Sequence, residues 1–453
     1  MTMSVRERDG RVERRARGRA IRDQAPRQAH GGWSAPAGRA DPVEVLEADA
    51  ADRLARLLPI RRWRMAQSPF AFLRGSADVM ARDLAHTPRT GLTVQACGDA
   101  HLSNFGVFGT PERRLLFDVN DFDETLQGPW EWDVKRLAAS VTVAAREIGS
   151  SAGEQRGATL RALAAYRVKL AEYAQMSPAE VWYSRIDEDV LAGLIATKAG
   201  RKKLKEGAAK ARRRTGDQIA GKIVERGPDG LRISSQPPLI LPVGDDPGVM
   251  ERVGDLLGRY AATVSTDRRL LLSRYSPRDA ALKVVGVGSV GTRCWIVLMA
   301  TDDDEVLLLQ VKEAGASVLE GPLGAHSHIN AGQRVVEGQR ATQAASDAFL
   351  GWMRDDDGRD YYVRQLRDMK LSADVATMSP AALSDYAGLC GWALARGHAR
   401  TGDPAVISGY LGSGRRFDRA VADFARDYAD QVERDHASLV EAIASGRLEA
   451  TEG

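Results

Sequence analysis

Polar and apolar positions follow two different periods along the chain, and each change of period marks an element. Helical spacing runs from Asp41 to about Met65, interrupted near Pro59, and again from Ser68 to Leu84. Residues 91–97 are short, apolar and partly β-branched, a strand that delivers Gly98 and Asp99 to a loop. Residues 104–108 and 113–117 read as the two strands of a hairpin, with Gly109 and Pro111 in its turn. Helical spacing resumes at Asp133, which stands where an N-cap belongs, and continues at about 152–176, 178–196 and 201–225. Gly227, Pro228, Pro237, Pro238 and Pro242 mark a linker before a helix at about 246–263. Residues 281–313, rich in Val, Leu, Ile and Gly, predict a β-unit. A helix over 329–350, a strand over 360–366 and two long helices, from Ser379 to about His398 and over about 417–443, complete the pattern. No internal repeat appears.

Composition narrows the class without naming a chemistry. The 453 residues suffice for two or three domains, and 43% apolar with 28% charged residues is ordinary for a soluble protein. A net charge of +3 gives no global reason to expect nucleic acid or an anionic membrane as partner. Cys97, Cys294 and Cys390 are far apart and lack zinc-ligand spacing, which favours a reducing compartment. No apolar run approaches the ~18 residues of a membrane span, and no signal-peptide core follows the N-terminus, so a cytoplasmic protein is expected. Residues 1–40 hold ten Arg against four acids and few large apolar residues, a composition that predicts a disordered basic arm. The basic run from Lys202 to Arg214 reads as a solvated helix face.

Two stretches carry chemistry. The first spans Cys97 to Asn104 and returns through the hairpin to Asp118, Asn120, Asp121 and Asp123. Hard oxygen groups on strand ends suit a divalent cation and a phosphate. Phosphoryl transfer needs a carboxylate near the acceptor, and Asp99 is the candidate; Asn104 and Asp121 are the first candidates for magnesium. Asp118 is the runner-up and Asp123 a second ligand, alternation placing Asp121 and Asp123 on one face and Asp118 on the other. His101 joins Asp99 in the catalytic loop, as a bracing residue more than a proton carrier. The second stretch is Gly286, Gly288, Ser289 and Gly291 after a strand. Residues 292–299 and 305–312 are again strand-like, with Asp302, Asp303 and Asp304 as a turn. Strand, turn, strand separates a kinase-type phosphate-covering hairpin from a dinucleotide-binding fold, in which a helix would follow. Lys312 then ends the third strand as the phosphate-reaching lysine of kinases does, with Glu337 as its partner and Glu320 as the alternative. His326 and His328 are left structural.

These residues also carry a resemblance. Gly98, Asp99, His101 and Asn104 resemble the catalytic loop of the aminoglycoside phosphotransferase and choline kinase superfamily, His-Gly-Asp-x-His-x-x-Asn, with Cys97 in place of the first His. Asn120 to Asp123 resemble its metal loop, and Trp132, Asp133 and the helix after them resemble the helix start whose Asp braces the catalytic loop. Over about 45–445 the chain more closely resembles a bacterial domain-of-unknown-function family, number twenty-two fifty-two, through SPFAFLRG, CGDAHLSNFG, NDFDE, KVVGVGSVG, QRVVEGQR and YYVRQLRDMK. The likeness implies an α+β, kinase-like two-lobed fold in circularly permuted order: a large helical lobe over 41–264, a small β-rich nucleotide lobe over 265–370, and helices completing the large lobe over 371–453. It implies ATP and Mg2+ as cofactors and phosphate transfer to a small molecule or a protein. The competing expectations are a metal-dependent hydrolase built on the Asp/His cluster, and a nucleotide-binding regulator without turnover.

Overall fold

The computed structural model describes residues 9–452 apart from 195–197, 214–215, 229, 244–246, 285, 289, 325–327, 367–368 and 370. Ser289, His326 and Arg214 therefore lie outside the described residues. The chain is an α+β protein. Among the described residues, no helix is long and apolar enough to cross a membrane.

The basic arm departs from the disorder its composition suggests. From Asp9 onward it is ordered, as α1 (Arg11–Ala20) and two 3-10 turns at Ile21–Asp23 and Arg27–His30. Its arginines find acceptors far along the chain: Arg14 pairs with Asp403, Arg22 donates to Tyr410 O at 2.9 Å and Arg27 to Leu411 O at 2.7 Å. Those carbonyls end a helix and have no partner within it, so guanidinium groups satisfy them.

Four helices follow: α2 (Pro42–Asp49), α3 (Leu58–Ala66), α4 (Pro69–Gly75) and α5 (Ala77–Ala85). Asp41 caps α2 by accepting from Val43 N at 2.7 Å, and Ser68 caps α4 by accepting from Ala71 N at 3.1 Å. The single helix expected over 68–84 is thus two, broken at Gly75 and Ser76. Next come β1 (Thr93–Ala96), β2 (Phe105–Gly109), β3 (Leu115–Val119) and β4 (Leu126–Pro129). β1 pairs with β4, and β2 with β3 in the expected hairpin, all antiparallel. α6 (Trp130–Glu147) is buried along almost its whole length and forms the axis of the helical part, with α7 (Ala152–Tyr173) beside it. α8 (Pro178–Tyr183), α9 (Glu188–Leu194), α10 (Lys198–Arg213) and α11 (Gly216–Ile223) lead to the β-rich part.

Here the expected linker is largely structured. β5 (Val224–Gly227) and β6 (Gly230–Ile233) form a hairpin, and β7 (Ile240–Pro242) joins the main sheet. After α12 (Pro247–Ala261) and α13 (Thr266–Leu272) come β8 (Ser276–Lys283), β9 (Cys294–Ala300) and β10 (Val306–Ala314). α14 (Glu320–Leu323), α15 (Ala331–Thr342), β11 (Gly351–Arg354), β12 (Asp360–Gln365) and β13 (Leu371–Ser372) follow. The sheet is antiparallel in the order β11-β12-β10-β9-β8-β7, so it begins before residue 265. Its alternation is clean. Val297, Met299, Leu307, Leu309 and Val311 bury one face with Tyr260 and Leu272 of α12 and α13, while Ile296, Leu298 and Leu308 bury the other with Ile223 and Ile233. The chain returns to the helical part through α16 (Pro380–Thr401), α17 (Pro404–Leu411) and α18 (Arg416–Ala444), which pack on α6 and α7.

Candidate functional site

The loop from Cys97 to Asn104 is held from one side by a face of α6. Asp133 accepts from Cys97 N at 2.8 Å and Gly98 N at 3.0 Å, and Ser140 Oγ accepts from Leu102 N at 3.1 Å. Between them Arg136 donates to Asp99 Oδ1 at 2.8 Å through Nε. These positions, 133, 136 and 140, share one helical face. Asp133 is not the N-cap that the sequence suggests. Pro129 holds that position, and the carboxylate one turn in serves the loop. Behind it stands a buried relay, Tyr166 OH to His398 Nδ1 at 2.8 Å and His398 Nε2 to Asp133 Oδ2 at 3.1 Å. Gly98 is required at the turn: its φ is +80°, and a Cβ there would sit 2.2 Å from Glu124 O.

Asp99 is fixed by Arg136 on Oδ1, while Oδ2 lies 3.5 Å from both His101 Nε2 and Asn104 Nδ2. His101 Nδ1 accepts from Ser103 N at 3.2 Å, which leaves its ring proton on Nε2, toward Asp99. Burial lowers the His101 pKa to about 3 against the pull of Asp99, so the ring is neutral. It braces. Cys97 is buried, and burial pushes its thiol well above the usual range, so it contributes its backbone N–H and its packing, not a thiolate.

The hairpin carries the carboxylates back, as its spacing suggests, but separates them. Asp118 is fully buried and faces away, pairing with Arg396 at 2.6 Å and accepting from Ala344 N at 2.9 Å. It is a structural residue and not a metal candidate, because it is fully buried against Arg396 and does not line the cleft. Asp121 and Asp123 line the cleft with Asn104. Asp123 bonds Lys312 Nζ directly and accepts from Tyr362 OH at 2.7 Å. Burial works against the Lys312 ammonium, and Asp123 more than offsets it, holding the lysine charged and the carboxyl below its usual range. Among the described residues, no three His, Cys, Asp or Glu side chains gather closely enough to hold a metal ion by themselves. A magnesium ion commonly takes one or two carboxylates and completes its shell from substrate oxygens and water, and the oxygen donors Asn104, Asp121 and Asp123 fit that pattern. Glu124, beside them, is pushed up to about 7 by burial, although Val318 N–H donates to it.

The partner expected for Lys312 is corrected. Glu337 is exposed on α15 and contacts Gln333 and His328, and Glu320 accepts from Ser317 N, so neither glutamate reaches the lysine. α15 instead contributes Arg334, which donates to Asp123 O at 2.8 Å and Thr125 O at 2.6 Å and so ties the acidic loop to the β-rich part.

Gly286, Val287 and Gly288 line the same cleft as Asp99, Asn104, Asp121 and Asp123, a space of about 850 Å³ counting what is open to solvent. Their loop is pinned from the N-terminal helices. Leu54 N donates to Gly291 O at 2.8 Å, Arg53 to Gly288 O at 2.6 Å and Arg64 to Gly286 O at 2.7 Å, and Val290 is buried among Leu57, Ile60 and Val284. Residues 49–78 thus supply part of the wall, through Asp49, Arg53, Arg74 and Asp78, which sequence reasoning passed over. Arg136 had a legible signal, three positions after Asp133. Tyr362 had none, since only the β10–β12 register sets it opposite Lys312.

A family model described as an uncharacterized protein conserved in bacteria (DUF2252) matches residues 53–442. No curated protein and no solved structure matches the chain.

Proposed function

The chain belongs to this bacterial family, DUF2252, and from that premise we propose that it is a phosphotransferase with a kinase-like fold, using ATP and Mg2+ to phosphorylate a small-molecule or protein acceptor. One observation carries the reading. Two loops far apart in sequence, the glycine hairpin and the Asp99–Asn104 turn, line a single cleft whose acidic loop is joined to Lys312 across 189 positions. A glycine hairpin, a strand ending in a buried lysine, and a helix after it are the parts a kinase uses to cover and grip nucleotide phosphates. Here they follow the catalytic loop in sequence instead of preceding it, and the fold brings them opposite it all the same.

The residues have separable tasks. Asp99 Oδ2 takes the acceptor's hydroxyl proton as the new O–P bond forms and the bond to the leaving diphosphate breaks, the electron pair staying on the leaving oxygen. Arg136 and Asn104 keep that carboxylate aimed. Lys312, buried and paired with Asp123 behind the acidic loop, is the cation that would turn to nucleotide phosphates when Asp123 holds magnesium. Asn104, Asp121 and Asp123 would hold magnesium, which supplies charge neutralisation when bound.

Thermal denaturation with ATP and magnesium tests this. A bound nucleotide at a hundred times its Kd stabilises by about 2.7 kcal/mol, a readily measured rise in Tm. A rise with metal alone and none with ATP would replace the proposal with the hydrolase reading. Lys312→Ala is expected to weaken ATP binding, whereas Asp99→Ala keeps binding and lowers transfer by ~10²–10⁴-fold. Loss of binding in both variants alike would contradict the division of roles.

A further inference from the structure

Two arginines line the cleft, and their circumstances differ. The guanidinium of Arg53 is used up by Gly288 O, Val290 O and Asp49, at 2.6 to 3.0 Å. Buried arginines just behind the wall are likewise engaged: Arg136 by Asp99 and Leu73 O, Arg61 by Asp49 and Gly75 O. Arg74 is the exception. Its Nε, like that of Arg61, is buried with no acceptor, but in contrast to Arg61 no carboxylate or carbonyl of the described residues takes the rest of its guanidinium. Burial lowers the Arg74 pKa while Asp99 and Glu147 pull the other way, and the arginine in turn disfavours protonation of His101.

The position is rigid. Arg136 grips Leu73 O at 2.6 Å while holding Asp99, and Arg61 grips Gly75 O at 2.9 Å, so the carbonyls on both sides of Arg74 are tied to the site. The glycine loop lies directly against it, since a Cβ on Gly288 would be 3.0 Å from Arg74 O. A half-buried cation with no partner among the described residues is costly to maintain unless an anion completes it. Between the glycine loop and the proton-accepting carboxylate, the anion that must be there during the proposed reaction is the phosphoryl group in transit.

Resting on the phosphotransferase reading, we infer that Arg74 binds the oxygens of the transferred terminal phosphate, supplying from within the chain the positive charge that group requires as it moves toward the acceptor. Lys312 then serves the phosphates that stay behind, and Arg74 the one that leaves. A planar guanidinium suits this, because it offers paired donors to phosphate oxygens.

The inference is tested by calorimetric titration of wild-type protein, Arg74→Gln and Arg74→Lys with magnesium and either ADP or an ATP analogue whose terminal phosphate cannot be transferred. Losing a hydrogen bond to a charged group predicts roughly ten- to a hundredfold weaker binding of the ATP analogue to Arg74→Gln, with ADP binding unchanged. Arg74→Lys, which keeps the charge, should recover part of that loss and guards against a folding defect in the glutamine variant. Equal weakening for both nucleotides, or none for either, overturns the assignment of Arg74 while leaving the kinase reading intact. Absence of nucleotide binding by the wild-type protein removes both together.

Discussion

Asp118, on the hairpin, and Asp123, five positions on in the turn after it, meet opposite fates. The end of β3 at Val119 divides them, leaving Asp118 on the strand and turned inward to Arg396, and Asp123 in the turn that follows, on the cleft side against Lys312. Both acids pair with a buried cation, but only the second pair lies where a ligand could separate it. The Asp118–Arg396 pair has neither partner exposed, so removing one strands the other charge. Arg396→Ala is therefore expected to cost about 3–5 kcal/mol of stability, read as a lower denaturant midpoint in urea unfolding. A midpoint close to wild type would mean that Asp118 has another partner and that its buried role is misassigned. The residue types at the site were legible in sequence, as were Asp99, Asn104 and the favoured face of the hairpin. The partners were not. Glu337 followed from spacing by analogy, whereas Asp123 and Tyr362 reach Lys312 only because β10, β12 and the acidic loop converge.

At the scale of elements, α6 is a rod that reads the loop from Cys97 to Asn104. Asp133, Arg136 and Ser140 project from one side of it and meet two backbone amides, the Asp99 carboxylate and a third amide in order along the loop. Such a device works only if the loop lies close, and Gly98 is what lets it turn there. Gly98→Ala faces both a left-handed φ and a Cβ 2.2 Å from a carbonyl oxygen. It should cost more than the ~1 kcal/mol that a strained backbone position commonly carries, and the melting temperature should fall accordingly. Wild-type stability in that variant would show that the β1 turn has room this geometry denies it. Helices and strands were mostly predictable from their period. The misses lie where the period was interrupted: the break at Gly75, and the short strands of 224–242, whose prolines and glycines resemble a linker until β7 finds the edge of β8.

For the molecule as a whole, the arm is the largest departure. Composition marks residues 1–40 as unable to fold alone, and nothing in the structure disputes that, because α1 and the turns after it gain order by docking on α17 and α18. Deleting residues 1–40 exposes the Tyr410 and Leu411 carbonyls and strips Arg39 from the buried carboxylates of Asp83 and Asp435; the two carbonyl bonds alone are a loss of roughly 3 kcal/mol or more. A differential scan of the chain from residue 41 should show a clearly lower Tm, and an unchanged one would make the arm as expendable as its composition suggests. By itself the sequence determined the periods of its helices and strands, the hard-oxygen character of one loop and the glycine hairpin before Lys312, since these depend on neighbours within a few residues. Only the tertiary structure decided which charges meet: Lys312 with Asp123, Arg396 with Asp118, the arm's arginines with α17, and Arg74 with no side-chain partner among the described residues. Such pairings are settled by proximity in space, and local chemistry contains no record of it.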